Sequence, residues 1–258
     1  MLQLTLITYL APSLPAELFR LIADEIRAAT GIPTHLLFET RISGPLEGDD
    51  EPFSGGNADI GFVCSPSFRW MRERGLVSLL PVAVPSDPRA EGRPVYFSDV
   101  IVPFESAVES VADLACAEWT CNDSHSLSGY FAIMQRLASI EGADPRFRFS
   151  GSHLSSIERV ITGAAEAAAI DSNVLLREMR RHPELAQRLR RIDSWGPRPM
   201  QPTIARASLA PEVRNAIAEA LLGFGGAAAE ELGFRGFATV DESAYGVNVS
   251  EVPSSMSL

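Results

Sequence analysis

Residues 85–94 read "PSDPRAEGRP", a stretch rich in proline, glycine and charge that has no apolar periodicity. This composition is typical of a connection between folded blocks. A second proline-rich stretch, "SWGPRPMQP", occupies residues 194–202. Together they predict a chain that leaves one lobe near the first stretch and returns to it near the second. We therefore expect one lobe to contain residues 1–95 plus 196–258, and the other to contain residues 96–195.

Short apolar runs alternate with helical patterns before the first of these stretches. Four segments predict strands: "LQLTLITYL", "THLLFET", "GGNADIGFVCS" and "SLLPVAVPS". The run "SLPAELFRLIADEIRAATG" predicts a helix that Gly31 ends, with Leu18, Leu21, Ile22 and Ile26 on one stripe. Strands that alternate with helices favour mostly parallel sheets covered by helices. The sequence thus predicts an α/β fold.

The same alternation continues after residue 94. Strands are predicted by "VYFSDVIVP", "WTCND", "RFRFSGS" and "EAAAIDSNVL", and helices by the segment after Ser128, by "SSIERVITGAA" and by "LLREMRRHPELAQRLRR". The arginines of the last segment predict a solvated helix face, formed by Arg177, Arg180, Arg181, Arg188, Arg190 and Arg191.

Composition excludes several classes of function. The net charge of −11 argues against binding to nucleic acid or to an anionic membrane surface. The chain has no lysine, which excludes Schiff-base, pyridoxal phosphate and P-loop chemistry. The first residues lack a basic signal region, and no segment supplies 18 uncharged apolar residues. We expect no direct membrane insertion and, for the sequence as written, a cytoplasmic location, or a periplasmic one if the true start lies upstream.

The three cysteines, Cys64, Cys116 and Cys121, are too few and too scattered for a disulfide framework. Cys116, Cys121 and His125 match no common zinc spacing. We expect buried or half-buried structural thiols and no metal or cofactor. A metal site of His125, His153 and Asp171 remains as an alternative.

Hydroxyl residues crowd the start of one predicted helix, in "DSHSLSGYFAIMQRLAS" at residues 123–139. One interpretation is that Ser128 is only an N-cap. The other is an anion site, in which Ser126 and Ser128 add donors to the free N–H groups of the helix and Gly129 allows close approach. An anion site of this kind needs no lysine.

Four blocks carry a resemblance to a known family: "RPVYFSDVIVP", "SVADLACAEWTCNDSHSLSGYFAIMQRLA", "FSGSHLSSIERVITGAAEAAAIDSNVL" and "IDSWGPRPMQPTIARASLAPEVRNAI". They resemble the phosphate/phosphite/phosphonate-binding proteins of ABC transporters, which have the type 2 periplasmic-binding-protein fold. The resemblance covers roughly residues 56–222. It implies two lobes with a ligand cleft between them, a small anionic ligand, an ABC transporter permease as a possible partner, and a monomer without catalytic activity.

The resemblance also implies site residues. The family's Ser-Thr-Ser-Gly run corresponds to Ser126, Leu127, Ser128 and Gly129, with Leu127 in place of threonine. Its tyrosine, its histidine and its polar segment fall on Tyr96, His153 and Asp171.

An aspartate that contacts the amino group of aminophosphonates falls on Gln201, which favours phosphate, phosphite or a simple phosphonate. From the order of the strands, we expect the first lobe to add Tyr9 and Ser65, with Ser67 beside them, and we expect His125 to lie at the rim.

Two enzyme alternatives use the same residues. Serine, histidine and aspartate are present, but the chain has no G-x-S-x-G elbow for acyl transfer. A lyase of the futalosine menaquinone pathway shares the two-lobe architecture and acts on a small carboxylate, with His153 or Asp171 as a possible base. The quoted blocks fit the phosphonate binders better.

Overall fold

The computed structural model describes residues 3–246. This part of the chain forms two compact units. One comprises the residues up to Val95 together with Pro199–Gly246, and the other comprises Tyr96–Arg198. Each contains helices and a five-stranded sheet. Residues 247–258, which the sequence prediction places in the first lobe, lie outside the described part.

The first unit is built on a mixed sheet. The strands of the first unit, numbered in chain order throughout, are β1 (Leu4–Thr8), β2 (Thr34–Phe38), β3 (Ile60–Phe62), β4 (Val77–Leu79), β5 (Val82–Pro85), β11 (Thr203–Arg206) and β12 (Phe234–Ala238). Its helices are α1 (Ala16–Thr30), α2 (Ser65–Glu73), α6 (Pro211–Gly223) and α7 (Ala227–Glu231), with 3₁₀ turns at Pro88–Ala90 and Glu242–Tyr245. The sheet order is β2-β1-β3-β11-β4. Strand β1 is parallel to both neighbours, whereas β11 is antiparallel to both of its own.

The second unit has a similar plan. Its strands are β6 (Val95–Pro103), β7 (Glu118–Cys121), β8 (Arg146–Phe149), β9 (Ala167–Asp171) and β10 (Leu189–Pro199). Its helices are α3 (Ala132–Leu137), α4 (His153–Ile161) and α5 (Ser172–Arg181), with a π turn at Leu127–Phe131 and 3₁₀ turns at Val111–Leu114 and Pro183–Gln187. The sheet order is β10-β6-β9-β7-β8. Strand β7 is parallel to β8 and β9, and β6 is antiparallel to β9.

The fold class is therefore as the sequence predicts, although each sheet is mixed. In both sheets three neighbouring strands are parallel. The antiparallel strands β6 and β11 are the first ones after each change of unit. Buried side chains fill the space under the helices; in the second unit Trp119 is fully buried and its indole N–H donates to the carbonyl of Leu114 at 3.1 Å. Burying one such side chain stabilises the fold by about 2–3 kcal/mol.

The apolar stripe of α1 is only partly as predicted. Leu18, Ile22 and Ile26 are buried, but Leu21 is exposed and Phe19 takes its place. At about 100° per residue, the buried arc is centred beyond Leu18 on the side of Phe19, and Leu21 falls outside it. Gly31 ends the helix with a φ of 68°, and its N–H donates to the carbonyl of Arg27.

Two predicted strand and linker assignments are wrong because of proline. The segment "SLLPVAVPS" is not one strand: Pro81, which lacks an N–H, separates β4 from β5, and these pair with β11 and β12 in different sheets. Most of the second proline-rich stretch is not a connection, because residues 194–199 belong to β10. Strand β10 is at the edge of its sheet, where proline is tolerated.

The predicted arginine-rich helix ends early. Helix α5 stops at Arg181, and after the Pro183–Gln187 turn the chain continues as β10. Arg177 is buried against Glu178, Arg190 donates to the carbonyl of Ser106, and Arg191 lies 3.4 Å from Asp99. Arg177 is buried and Arg190 is half-buried, so the predicted solvated helix face is wrong for these two. Arg191 is solvated, with a side chain 48% exposed, but it lies on β10 and not on a helix.

Candidate functional site

Three parallel strands of the second unit end at the same edge of its sheet. Strands β8 and β9 both run parallel to β7, and each of the three is followed by a helix. The loops at residues 122–126 and 150–152 and the start of α5 therefore lie along this edge. Carboxyl ends of parallel strands are the usual place for ligands in α/β sheets. Three helix N-termini, each with a partial positive charge, begin here.

The helix after β7 begins at Ser126, not at Ser128. The Ser126 hydroxyl oxygen accepts a hydrogen bond from the Gly129 N–H at 3.1 Å, which makes Ser126 the N-cap. The first turn is a π turn, closed by the Phe131 N–H on the Ser126 carbonyl at 3.0 Å. A Cβ on Gly129 would lie 2.4 Å from Asn122 Oδ1, so the lack of a side chain is needed for packing here.

Ser128 is paired with His153. Ser128 Oγ and His153 Nε2 are 2.9 Å apart, and the side chains are almost fully buried, with relative exposures of 2% and 4%. Burial lowers the pKa of His153 to about 4, so the imidazole is neutral at pH 7. One proton lies between the two side chains, and the pair presents neutral groups to its surroundings. The residues come from the helix starts after β7 and β8.

Two buried aspartates stand at the same sheet edge. Asp171 caps α5 by accepting from the Asn173 N–H at 2.8 Å. Asp123 accepts from the His125 N–H at 2.8 Å and from Asn122 Nδ2 at 2.9 Å. Both are less than a tenth exposed. Asp123 is not among the residues predicted from the sequence; an aspartate two residues after a strand and two residues before His125 is a turn signal that could have identified it.

Tyr96 lies close to the start of α5. Strand β6 pairs with β9 so that Ser98 is opposite Asp171, and the Phe97 N–H donates to Ser172 Oγ at 3.1 Å. Tyr96 is fully buried. Leu127 is also buried in the first turn, and His125 is half-buried. The second unit thus gathers the predicted residues Tyr96, Ser126, Leu127, Ser128, Gly129, His153 and Asp171 along one edge of its sheet.

The predicted residues of the first unit also share a sheet edge. The Tyr9 N–H donates to the carbonyl of Phe62, the last residue of β3, at 3.0 Å. Ser65 follows β3 at the start of α2. Gln201 precedes β11, whose first residue is paired with Phe62. Burial, helped by the charges of Glu39 and Glu51, raises the pKa of Tyr9 to about 12, so its phenol stays protonated. Ligand binding by Tyr9, Ser65 and Gln201 stays a prediction.

All three cysteines lie in the described part of the chain. Cys64 and Cys121 are buried thiols, but Cys116 is exposed, contrary to the prediction, because it lies in the turn between the Val111–Leu114 3₁₀ turn and β7. Across residues 3–246, no group of three or more histidine, cysteine, aspartate or glutamate side chains is placed to hold a metal ion. None of the helices in this part of the chain is long and apolar enough to cross a membrane.

Comparison with known proteins identifies the family. A family model described as "ABC transporter, phosphonate, periplasmic substrate-binding protein" matches residues 4–245. The chain belongs to this family. The resemblance seen in the sequence is thereby confirmed, and the family consists of substrate-binding proteins, not of enzymes. The lyase alternative finds no support. No curated protein matches the sequence of this substrate-binding protein.

Solved structures share its fold. A binding protein component of an ABC phosphonate transporter from Pseudomonas aeruginosa is 17% identical, with a TM-score of 0.76 over 94% of this chain and 83% of that one. PhnD1 from Prochlorococcus marinus, solved with methylphosphonate, is 13% identical, with a TM-score of 0.75 over 94% of both chains. A Xanthomonas citri protein solved with ATP is 17% identical, with a TM-score of 0.67 over 94% of this chain and 92% of that one. These structures share the α/β fold of this chain.

Proposed function

We propose that this substrate-binding protein holds the anionic group of its ligand at the helix entrance of the second unit, defined as residues 126–129. The observation that carries the proposal is the buried Ser128–His153 pair, 2.9 Å apart, at the start of a helix. Buried polar side chains that are neutral, directed to a helix N-terminus and placed at the carboxyl edge of a sheet suit a small oxyanion.

The donors at this entrance are backbone and hydroxyl groups. The first N–H groups of a helix have no acceptor within the helix. Here the Gly129 N–H is used by the Ser126 cap, and the Phe131 N–H by the first internal bond. We propose that the N–H groups of Leu127, Ser128 and Tyr130 contact the ligand. Gly129, which lacks a side chain, lets the turn pack closely on Asn122.

We propose that Ser128 and His153 act on the ligand together. Because His153 is neutral, it either accepts the Ser128 proton or donates to the Ser128 oxygen. In both arrangements the pair keeps one further proton to donate. Because the Ser128–His153 pair carries no positive charge, it does not require a doubly charged ligand. With the buried carboxylates Asp123 and Asp171 at the same edge, it favours ligands of low negative charge.

The ligand class we propose is phosphate, phosphite or a simple phosphonate. The methylphosphonate in PhnD1 makes methylphosphonate the first compound to test. We further propose that the protein works in the periplasm and delivers its ligand to an ABC transporter permease, in keeping with the description of its family.

Calorimetric titration of the pure protein tests the proposal. Methylphosphonate, phosphite and phosphate are titrated in turn, with 2-aminoethylphosphonate as the comparison, because Gln201 carries no charge for an amino group. We expect binding of at least one of the first three, and weaker binding of the amino compound. Absence of binding by all four, with native mass spectrometry showing no retained anion, would contradict the proposed function.

A further inference from the structure

Strand β2 forms an open edge of the sheet in the first unit. It pairs with β1 on one side, and within residues 3–246 the sheet order leaves its other side open. The register fixes which backbone groups face the open side. The Glu39 N–H donates to the Thr8 carbonyl at 3.0 Å, so the odd-numbered residues along β2 bond to β1. The N–H and C=O groups of Thr34, Leu36 and Phe38 therefore point away from β1.

This edge lacks the features that usually prevent strands of different molecules from pairing, which are proline, charge and short length. The other edges of the two five-stranded sheets have them: β10 contains two prolines, β8 contains two arginines, and β4 has three residues. Strand β2 has five residues and contains neither proline nor arginine, aspartate or glutamate. Its Leu37 and Phe38 are 37% and 40% exposed. The edge is therefore open to pairing with another strand.

Strand β2 is complementary to a second copy of itself. In an antiparallel pair centred on Leu36, Thr34 lies opposite Phe38 of the second copy, and Leu36 lies opposite its own counterpart. Each of these residues directs both its N–H and its C=O to the open side, so the pair forms up to about six hydrogen bonds. Such pairing would join the sheets of the two copies into one continuous sheet.

Helix α1 lies beside the same edge. Arg20 Cζ is 5.9 Å from the ring centroid of Phe38, and Thr34 Oγ1 donates to the Ala23 carbonyl at 3.3 Å. The centre of β2 is therefore level with the middle of α1. Antiparallel strands related by a two-fold axis perpendicular to the sheet keep their helices on the same face. In such a pair the two α1 helices are antiparallel neighbours.

The charges of α1 are complementary to those of an antiparallel second copy. Glu17, Arg20, Asp24 and Arg27 follow one another along the helix, with side chains 59–66% exposed. Their signs alternate, so reversing the helix places each charge opposite one of the other sign. With the two-fold axis near residue 22, Arg20 faces Asp24 of the second copy and Glu17 faces its Arg27. This complementarity favours a second copy over an unrelated extended peptide as the occupant of the edge.

We infer that the protein forms a two-fold symmetric dimer through strand β2, with the α1 helices of the two copies side by side. The dimer takes the place of the monomer that the family resemblance implies. It uses residues 17–38 of the first unit and no residue of the helix entrance. The inference therefore goes beyond the proposed function, and its failure would leave the anion site standing.

Charge reversal on α1 tests this dimer. Sedimentation velocity over a range of concentrations is run on the wild type, Arg20→Asp, Asp24→Arg and the double variant R20D/D24R. Each single substitution places like charges opposite each other at two symmetric contacts, and we expect the Kd of the dimer to rise by about 10-fold. The double variant restores opposite charges and should dimerise as the wild type does. The control Arg136→Asp makes the same change at an exposed arginine of the second unit and should leave the Kd unchanged.

A backbone variant tests the strand pairing itself. Leu36→Pro removes an N–H that points to the open side and leaves the hydrogen bonds to β1 in place. We expect it to be monomeric at concentrations at which the wild type is a dimer. Thermal unfolding of each variant shows that folded proteins are compared; if Leu36→Pro does not fold, the charge variants decide.

Three results would overturn the inference. The first is a wild type that stays monomeric at all concentrations, which would leave the edge of β2 to another extended segment. The second is a dimer that neither folded Leu36→Pro nor the single charge reversals weaken, because its interface would then lie elsewhere. The third is a dimer that both single reversals weaken and the double variant does not restore, because the two α1 helices would then not face each other.

Discussion

At the scale of single residues, the two serines of the helix entrance have different tasks. Ser126 accepts from the Gly129 N–H and caps the helix, whereas Ser128 is hydrogen-bonded to His153. The sequence could indicate a cluster of hydroxyl groups, but both serines suit an N-cap by residue type. Which of the two serines caps the helix depends on the π turn, and no local sequence pattern predicts that turn. We therefore expect substitution of Ser126 to lower the stability of the fold and substitution of Ser128 to lower the ligand affinity.

Ser126→Ala should weaken the fold. Loss of an N-cap hydroxyl costs about 1 kcal/mol of the free energy of unfolding. Chemical denaturation at neutral pH measures this. The control is Ser139→Ala, because Ser139 is exposed and its hydroxyl only donates to the Arg136 carbonyl; we expect a change within about 0.5 kcal/mol. Equal effects of the two substitutions would show that Ser126 is not the cap.

His153 should make stability depend on pH. Its pKa is about 4 in the folded protein, against 6.5 as the ordinary value. The unfolded chain therefore binds a proton below pH 6.5 that the folded chain does not, so this contribution is full above pH 6.5 and declines as the pH falls to about 4. The total is on the order of 3 kcal/mol.

Denaturation curves between these pH values test the dependence on His153. His153→Gln should lose less stability than the wild type as the pH falls. The control is His182→Gln, since the side chain of His182 is 52% exposed. If the His153 variant and the wild type lose stability in parallel, the imidazole is not buried as a neutral group.

At the scale of elements, the sequence predicts strands and helices well where the chain is apolar and regular. The end of α1 at Gly31 and the start of β9 follow from composition and turn residues. Strand β10 could not be predicted, because its prolines are compatible with a strand only at a sheet edge. Edge positions depend on the pairing of distant segments, which a local pattern does not contain.

Gly129→Ala should destabilise the helix entrance. The new Cβ would lie 2.4 Å from Asn122 Oδ1, and the Asn122 amide is held by its bond to Asp123. Relief of such a contact costs about 1–3 kcal/mol. Thermal or chemical unfolding measures the loss. Gly223→Ala is the control, because a Cβ there meets nothing within 4 Å; it should be neutral or slightly stabilising. Similar values for both variants would contradict the packing described for Gly129.

At the scale of the whole molecule, the family and the α/β fold were accessible from the sequence because motif order survives where overall identity is low. The structural relatives are 13–17% identical and still cover 94% of this chain. The site was only partly accessible. The serines, Gly129 and His153 are adjacent to strand ends and could be named in advance, but the hydrogen bond between Ser128 and His153 depends on the pairing of β7 with β8.

The central claim is that the helix entrance of the second unit binds the anion. Titration calorimetry of methylphosphonate against the wild type, Ser128→Ala and the control Ser139→Ala tests it most directly. Loss of a donor to a charged group costs about 1.5–3 kcal/mol, or about 10- to 150-fold in affinity. We predict that Ser128→Ala binds weaker by this factor, while Ser139→Ala binds as the wild type does. Unchanged affinity in folded Ser128→Ala would contradict the account.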